Sequence, residues 1–165
     1  MRRLFAFALD WLVIAAWGAV VFGAVWAFTS GQLPADIDPW KGQLVGFLAM
    51  TLPVTSYFAL LERSKARASL GKRLVRLQVV DTAGGSLPLG RSLLRNAIKF
   101  MPWECGHLVA HQAISSGDAG PSTWVYVPMA VAVGVPLWWF VALLVTGQTP
   151  YDRWARARVI SANGP

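Results

Sequence analysis

Residues 64–99 form a strongly basic segment that lies between long apolar runs of the chain. The segment contains eight lysines and arginines but a single acidic residue, Asp81. Lysines and arginines that flank membrane spans favour the cytoplasmic side, so this segment is expected inside the cell. That expectation sets the orientation of the apolar runs on both sides of it.

The composition supports a membrane protein and argues against a nucleic-acid-binding protein. Of the 165 residues, 55% are hydrophobic and only 14% are charged, whereas a soluble domain carries roughly 25% charged residues. The net charge of +7 is typical of some nucleic-acid-binding proteins. Here, however, the positive charges flank apolar runs, and no soluble nucleic-acid module is recognisable. We therefore expect the basic residues to face anionic lipid head groups.

Four apolar runs are predicted to cross the roughly 30 Å hydrocarbon core of a bilayer. They lie at about residues 4–28, 43–61, 97–115 and 123–146, with a cytoplasmic segment at 62–96 and a cytoplasmic tail at 147–165. Fourteen of the fifteen lysines and arginines then fall inside, and only Lys41 falls outside. The predicted fold is an all-α membrane protein of four transmembrane helices arranged as two hairpins, with both termini in the cytoplasm.

The regions outside the spans also carry recognisable patterns. An outer loop at 29–41 contains Pro34, Asp36 and Asp38, which are typical of a solvated connection. The first apolar run follows two arginines, as in a signal peptide, but it is long and lacks a clear cleavage site, so an uncleaved helix is expected. In the cytoplasmic segment, residues 74–80 alternate as a β-strand does, and 158–161 are predicted to pair with them. Residues 89–99 predict an amphipathic helix that lies on the inner interface and then enters it.

Three separated pieces of the chain resemble one family of small bacterial membrane proteins, the RDD family. The pieces read RRLFAFALDWLV, SLGKRLVRLQVVDTAGGSLPLGRSLLRN and TPYDRWARARVI. The family is named for one arginine and two aspartates, which by position correspond to Arg3, Asp10 and Asp152. The resemblance implies a multi-pass protein of the bacterial inner membrane. Transport has been proposed for the family, and some members are described as sodium–proton antiporters.

Five charged residues are expected to converge as a clamp at the cytoplasmic end: Arg3, Asp10, Arg95, Asp152 and Arg153. Asp10 lies two turns beyond Arg3 on the same helix face. A carboxylate near hydrocarbon costs ~2.5–3.5 kcal/mol even on the lenient insertion scale, so Asp10 needs a partner or a proton. One interpretation is a fixed ion pair with Arg153 or Arg95. The other is a carboxylate that titrates or binds a cation.

The third run carries a second set of polar residues, Glu104, His107 and His111. Spacings of three and four residues place them on one helix face. Three interpretations remain open: hydrogen-bonded glue between helices, a proton or cation path, and a metal site for zinc or iron, because Glu-x-x-His is used in metal-binding bundles. Lys99 is a further candidate for the path or the clamp. A monomer offers at most three ligands, and a symmetric dimer can double them.

These observations predict a small inner-membrane transporter or transport-associated protein, coupled to protons or monovalent cations. No nucleophile–base pair and no cofactor-binding loop is recognisable, so an enzyme is not expected. The alternatives are a membrane assembly factor without transport activity and, as a third class, a metal-dependent membrane enzyme. Beyond the lipid bilayer, a second copy of the chain is an expected partner, because four helices enclose little volume.

Overall fold

The computed structural model of the chain describes residues 2–32 and 38–162. Its first helix, α1, runs over Arg2–Phe28 and agrees with the predicted first span. Pro34 and Asp36 of the predicted outer loop lie outside the described residues. Asp38 begins the next helix, because its carboxylate accepts hydrogen bonds from the backbone N–H groups of Trp40 and Lys41.

The second long helix contains a π-helical turn in its middle. Helix α2 covers Pro39–Gly46, the π turn covers Phe47–Thr51, and α3 covers Leu52–Arg63. The three pieces are consecutive and form one segment of 25 residues. In the π turn, the N–H of Leu52 donates to the carbonyl of Phe47, five residues back.

Pro53 explains a contact between this segment and α1. A proline has no N–H, so the carbonyl of Ala49, four residues earlier, loses its helical donor. The indole Nε1–H of Trp17 in α1 donates to that carbonyl at 2.9 Å. A neighbouring helix thus satisfies the backbone group that the proline leaves free, as buried helices require.

The predicted amphipathic helix and the predicted third span form one continuous helix, α5, over Leu89–Ser116 with Pro102 inside it. After two short 3₁₀ turns, at Gly117–Ala119 and Thr123–Val125, helix α6 covers Tyr126–Thr146.

Among the described residues, three helices are long and apolar enough to cross a membrane: Arg2–Phe28, Pro39–Arg63 and Thr123–Thr146. These three helices match the predicted first, second and fourth spans. Helix α5 is equally long but carries the polar residues of the predicted third span. The protein is thus mostly helical, with three helices able to span a bilayer and a small sheet.

The sheet confirms the predicted strand pairing. Strand β1, Leu77–Asp81, pairs antiparallel with β2, Ala157–Ser161, with Val79 opposite Val159. The predicted start of the first strand at residue 74 was wrong, because Leu70–Leu74 forms the short helix α4. Arg76 then takes a left-handed backbone conformation, with φ +57°, that turns the chain from helix into strand.

Helices α2, α3 and α6 pack around α5, and the two ends of the chain meet. Helix α5 packs against α3 and α6, and α1 packs against α4. The guanidinium of Arg3 donates to the carbonyls of Gly147 and Val159, both at 2.7 Å. The start of α1, the end of α6 and the sheet therefore lie at one end of the bundle. At the other end, the rings of Trp40 and Trp124 stack with centroids 6.1 Å apart.

Candidate functional site

Asp10 is almost fully buried, with 2% of its surface exposed, and it binds the segment that follows α3. Its carboxylate accepts hydrogen bonds from Ser69 Oγ at 2.6 Å and from the backbone N–H of Gly71 at 2.8 Å. The ammonium of Lys72 lies 3.6 Å away. The absence of a side chain at Gly71 allows this contact, since a Cβ there would lie 2.7 Å from Asp10 Oδ1. Asp10 therefore joins α1 to α4.

Glu62 connects Lys72, the cationic partner of Asp10, to helix α5. The carboxylate is completely buried and lies 3.1 Å from Lys72 Nζ. The guanidinium Nη1 of Arg95 donates to both carboxylate oxygens at 2.7 Å, and Asn96 Nδ2 donates at 2.9 Å. A buried carboxylate with two cationic partners and an amide donor is fully solvated by protein groups.

Arg95 continues the network to the tail of the chain. Its Nε and Nη2 atoms lie 2.8 Å and 2.7 Å from Asp152 Oδ1 in helix α7, Pro150–Trp154. The guanidinium also lies 5.2 Å from the ring centre of Tyr151. Burial and the neighbouring Asp152 carboxylate raise the pKa of the Tyr151 phenol above its ordinary value. The phenol therefore stays neutral, and it covers one face of the buried ion pair.

These contacts form a charged layer of five residues: Asp10, Glu62, Lys72, Arg95 and Asp152. Three of the five residues predicted to converge, Asp10, Arg95 and Asp152, do so. The predicted partners of Asp10 were wrong, because Lys72, rather than Arg95 or Arg153, lies beside it.

Arg3 and Arg153 were also wrongly placed in the predicted network. Arg3 lies at the same end of the bundle, but it binds the two backbone carbonyls described above. Arg153 is exposed on α7. The charges that complete the layer, Lys72 and Glu62, come from helix α4 and from the end of α3.

Lys99 lies one turn above Arg95 on the same face of α5. Its ammonium lies over the ring of Phe58 at 3.9 Å and close to that of Phe100 at 4.9 Å. Lys72 approaches the same Phe58 ring at 5.4 Å. Within the described residues, no carboxylate lies within 4.0 Å of the Lys99 ammonium. Lys99 is therefore held by aromatic faces and stays available to a ligand.

Further along α5 than Lys99, Glu104 forms a second polar group with residues of the neighbouring helix. We call Gln43, Thr51, Glu104 and His107 the Glu104 cluster. The carboxylate accepts hydrogen bonds from Gln43 Nε2 at 2.6 Å and from the Thr51 hydroxyl, which lies in the π turn. His107 Nδ1 is 3.4 Å from Glu104 Oε1. Two buried atoms of the cluster, Gln43 Oε1 and His107 Nδ1, have no hydrogen-bond partner among the described residues.

His111 stands apart from this cluster. Its ring lies against helix α2, where a Cβ on Gly42 would come within 2.8 Å of His111 Nδ1. In the described part of the chain, no three His, Cys, Asp or Glu side chains are grouped to hold a metal ion. The predicted stripe is thus a Glu104–His107 pair plus a histidine packed on a glycine.

A cavity of about 650 Å³ extends from the charged layer to His107 of the Glu104 cluster. It lies between α1, α5 and α6, with Arg95, Lys99 and Asp152 at one end and His107 further along α5. Most of the remaining wall is apolar or aromatic. The charged layer therefore forms one end of an internal space that extends along α5 toward the Glu104 cluster.

Comparison with known proteins supports the resemblance seen in the sequence. The family model of the RDD family matches residues 1–156. The chain belongs to the RDD family. No curated protein and no solved structure matches it significantly. Arg3, Asp10 and Asp152, the residues to which the family resemblance points, lie at the same end of this RDD family protein, and the two aspartates belong to its charged layer.

Two residues of the charged layer in the RDD chain were missed in the sequence, and only one of them had a visible signal. Glu62 is the one acid at the junction between an apolar run and the basic segment. A lone carboxylate among many cations at a helix end is a natural counter-ion. Lys72 had no comparable signal, because it is one of eight basic residues in 64–99 and only the docking of α4 on α1 selects it.

Proposed function

We propose that this RDD family protein is a small inner-membrane transporter that exchanges a proton for a monovalent cation at the Glu104 cluster. The observation that carries the proposal is the Glu104 carboxylate, which faces polar groups of the neighbouring helix inside the bundle. An ionisable group at such depth is costly unless it has partners, so it is a candidate site for function.

The proposed topology has four spans, with α5 as the third, and places both termini and residues 64–99 in the cytoplasm. Fourteen of the fifteen lysines and arginines then lie inside. Helix α5 fits a span despite its polar residues, because it packs between α3 and α6. A polar face that points into a bundle avoids contact with lipid.

The atoms around Glu104 suit a hard monovalent cation. Such ions prefer oxygen ligands, including carboxylates and amide carbonyls. Glu104 offers two carboxylate oxygens, Thr51 offers a hydroxyl and Gln43 offers an amide oxygen without a partner. Thr51 lies in a π-helical turn, a distortion that is frequent at functional sites.

His107 supplies the competing proton. Histidine ordinarily titrates near neutral pH. A protonated His107 at 3.4 Å compensates the Glu104 carboxylate, whereas a neutral His107 leaves one negative charge for a metal cation. Proton and cation therefore exclude each other by charge repulsion. In the proposed cycle, His111 lies on the outer side of Glu104 as a gate.

A second candidate, an assembly or accessory role without transport, is favoured by one observation. All five residues of the charged layer are paired with one another and buried. Such a layer holds helices together without moving a charge. In this alternative, the Glu104 cluster is glue between α2 and α5.

Purified protein reconstituted in proteoliposomes with an internal pH dye separates the two candidates. We expect pulses of external sodium, potassium or lithium salts to change internal pH in wild-type vesicles. Glu104→Gln should abolish the change while elution volume and melting temperature stay as in wild type. Gln112→Ala, on the same helix but outside the cluster, serves as the matched control and should transport normally.

The outcomes separate the candidates clearly. Loss of exchange in Glu104→Gln alone supports the site, and His111→Ala should then shift the pH dependence without abolishing exchange. Normal exchange by Glu104→Gln contradicts the proposed site. A folded wild-type protein that exchanges nothing favours the accessory role, and about one zinc or iron per chain in elemental analysis favours a metal site.

A further inference from the structure

The cavity between α1, α5 and α6 has a shape and lining that the cation site does not explain. Its volume of about 650 Å³ falls within the ~300–1,000 Å³ typical of small-molecule sites. Its long wall is built from apolar and aromatic side chains, among them Phe7, Trp11, Ile14, Phe140 and Leu143. Helices α1 and α6, which carry most of this wall, are both apolar enough to span a membrane.

Two buried donors line the cavity without a partner. Trp139 is 6% exposed and Thr149 is 5% exposed, and both residues belong to the lining. The Trp139 indole Nε1–H and the Thr149 hydroxyl make no hydrogen bond among the described residues. Buried polar groups are normally satisfied, so these two residues leave hydrogen-bonding capacity unused beside the cavity.

Both donors lie at the charged-layer end of the cavity. The ring of Trp139 packs edge-on against Tyr151, with centroids 5.0 Å apart. Tyr151 in turn covers the Arg95 guanidinium at 5.2 Å. Thr149 immediately precedes α7, which carries Asp152 of the layer. A ligand that accepts from these donors therefore has its polar end at the layer.

The charge at this end favours an anion. Four cationic side chains (Arg3, Lys72, Arg95 and Lys99) and two carboxylates (Asp10 and Asp152) line the cavity. Glu62, behind the lining, brings the carboxylates to three. One positive charge is thus in excess. Of the two cations without a carboxylate contact among the described residues, Arg3 already donates to two backbone carbonyls, whereas the Lys99 ammonium contacts aromatic rings. Cation–π contacts leave an ammonium free to bind a carboxylate.

We infer that the cavity binds a single-chain lipid carboxylate, a fatty-acid anion drawn from the inner leaflet. The carboxylate lies beside Lys99 and accepts from Trp139 and Thr149, and the chain lies along the apolar wall of α1 and α6. Head group and chain then match the depth of an inner-leaflet amphiphile, with its charge at the inner interface and its tail in the bilayer. The occupant is separate from the cation proposed at Glu104.

Photo-crosslinking in nanodiscs of neutral phosphatidylcholine tests this inference. The probe is hexadecanoate with a diazirine in its chain, and mass spectrometry maps the labelled residues. We expect labels on cavity-lining residues of α1 and α6. Unlabelled hexadecanoate should compete at least tenfold more effectively than hexadecylamine or hexadecanol. Equal competition by the amine overturns the inference, because it shows that the site selects chains and not anions.

Variants locate the head group. Lys99→Met should lower specific labelling at least fivefold, and the double change Trp139→Phe with Thr149→Val, which removes both hydrogen-bond donors, should lower it several-fold. Lys65→Met, an exposed lysine outside the cavity, is the matched control and should label as wild type. Wild-type labelling of the folded double variant overturns the inference even if Lys99→Met fails to fold. Displacement of the probe by phosphatidylglycerol, but not by hexadecanoate, assigns the cavity to a two-chain lipid and contradicts the single-chain occupant.

Discussion

Replacing Glu62 with glutamine should destabilise the protein strongly. The substitution keeps the volume of the side chain but removes the charge that faces both Lys72 and Arg95, at 3.1 Å and 2.7 Å. The carboxylate is completely buried, so water cannot replace it. Breaking a buried ion pair from one side costs about 3–5 kcal/mol.

Neighbouring charges place the cost of Glu62→Gln toward the lower end of that range. Asp152 still pairs with Arg95, and Asp10 remains 3.6 Å from Lys72, so neither cation is left alone. With roughly 2–4 °C per kcal/mol for a chain of this size, a loss of about 3–5 kcal/mol corresponds to a melting temperature lower by about 6–20 °C. The change is measured by thermal unfolding of purified protein in detergent, followed by tryptophan fluorescence.

Two controls sharpen this measurement. Asp118→Asn removes an exposed carboxylate and should change stability by less than about 0.5 kcal/mol. Adding Lys72→Met to Glu62→Gln should cost less than the sum of the single changes, because the cation loses its counter-ion in the first step. A melting temperature of Glu62→Gln within 2 °C of wild type, or strict additivity with Lys72→Met, would refute the charged layer as a stabilising unit.

Two further predictions concern packing and topology. Gly71→Ala should lower the melting temperature, because the new Cβ would lie 2.7 Å from Asp10 Oδ1, whereas Gly90→Ala should have little effect, since a Cβ there meets open space; equal effects of the two would contradict the close contact. In a variant that lacks the native cysteine, Asp118→Cys should react with an impermeant thiol reagent on intact cells and Ala83→Cys should not, and the reverse labelling would contradict the proposed topology.

The strands and the three apolar spans could be predicted because each depends on residues that are neighbours in the sequence. Alternating residues gave the β1–β2 pairing, which the register of Val79 with Val159 confirms. The start of β1 could not be predicted, because Arg76 adopts a left-handed conformation that an arginine adopts only when tertiary contacts hold it. The three apolar spans followed from composition, since length and apolar content alone decide them.

For the charged layer, the type of partner could be predicted, but not which residue it is. A carboxylate as deep as Asp10 must have a cation or a proton as its partner, and Asp10 has a cation, Lys72. Which cation it has depends on how α4 docks on α1, and this contact needs Gly71 rather than any charge pattern. Similarly, the spacing of Glu104 and His107 predicted a shared face, but the contacts with Gln43 and Thr51 arise from α2 and its π turn. Contacts between helices far apart in sequence have no local signature.

The proposed exchange at Glu104 is tested most directly by proton release on sodium binding. Purified protein in weakly buffered detergent solution is titrated with sodium chloride at several pH values from about 5 to about 7, a range that spans the ordinary titration of histidine, and is monitored with a pH dye. Choline chloride at the same concentrations corrects for ionic strength. We expect a saturable release of a fraction of one proton per chain, which Glu104→Gln abolishes. No release above the choline control from folded protein, or equal release from Glu104→Gln, would contradict a site where one proton and one cation compete.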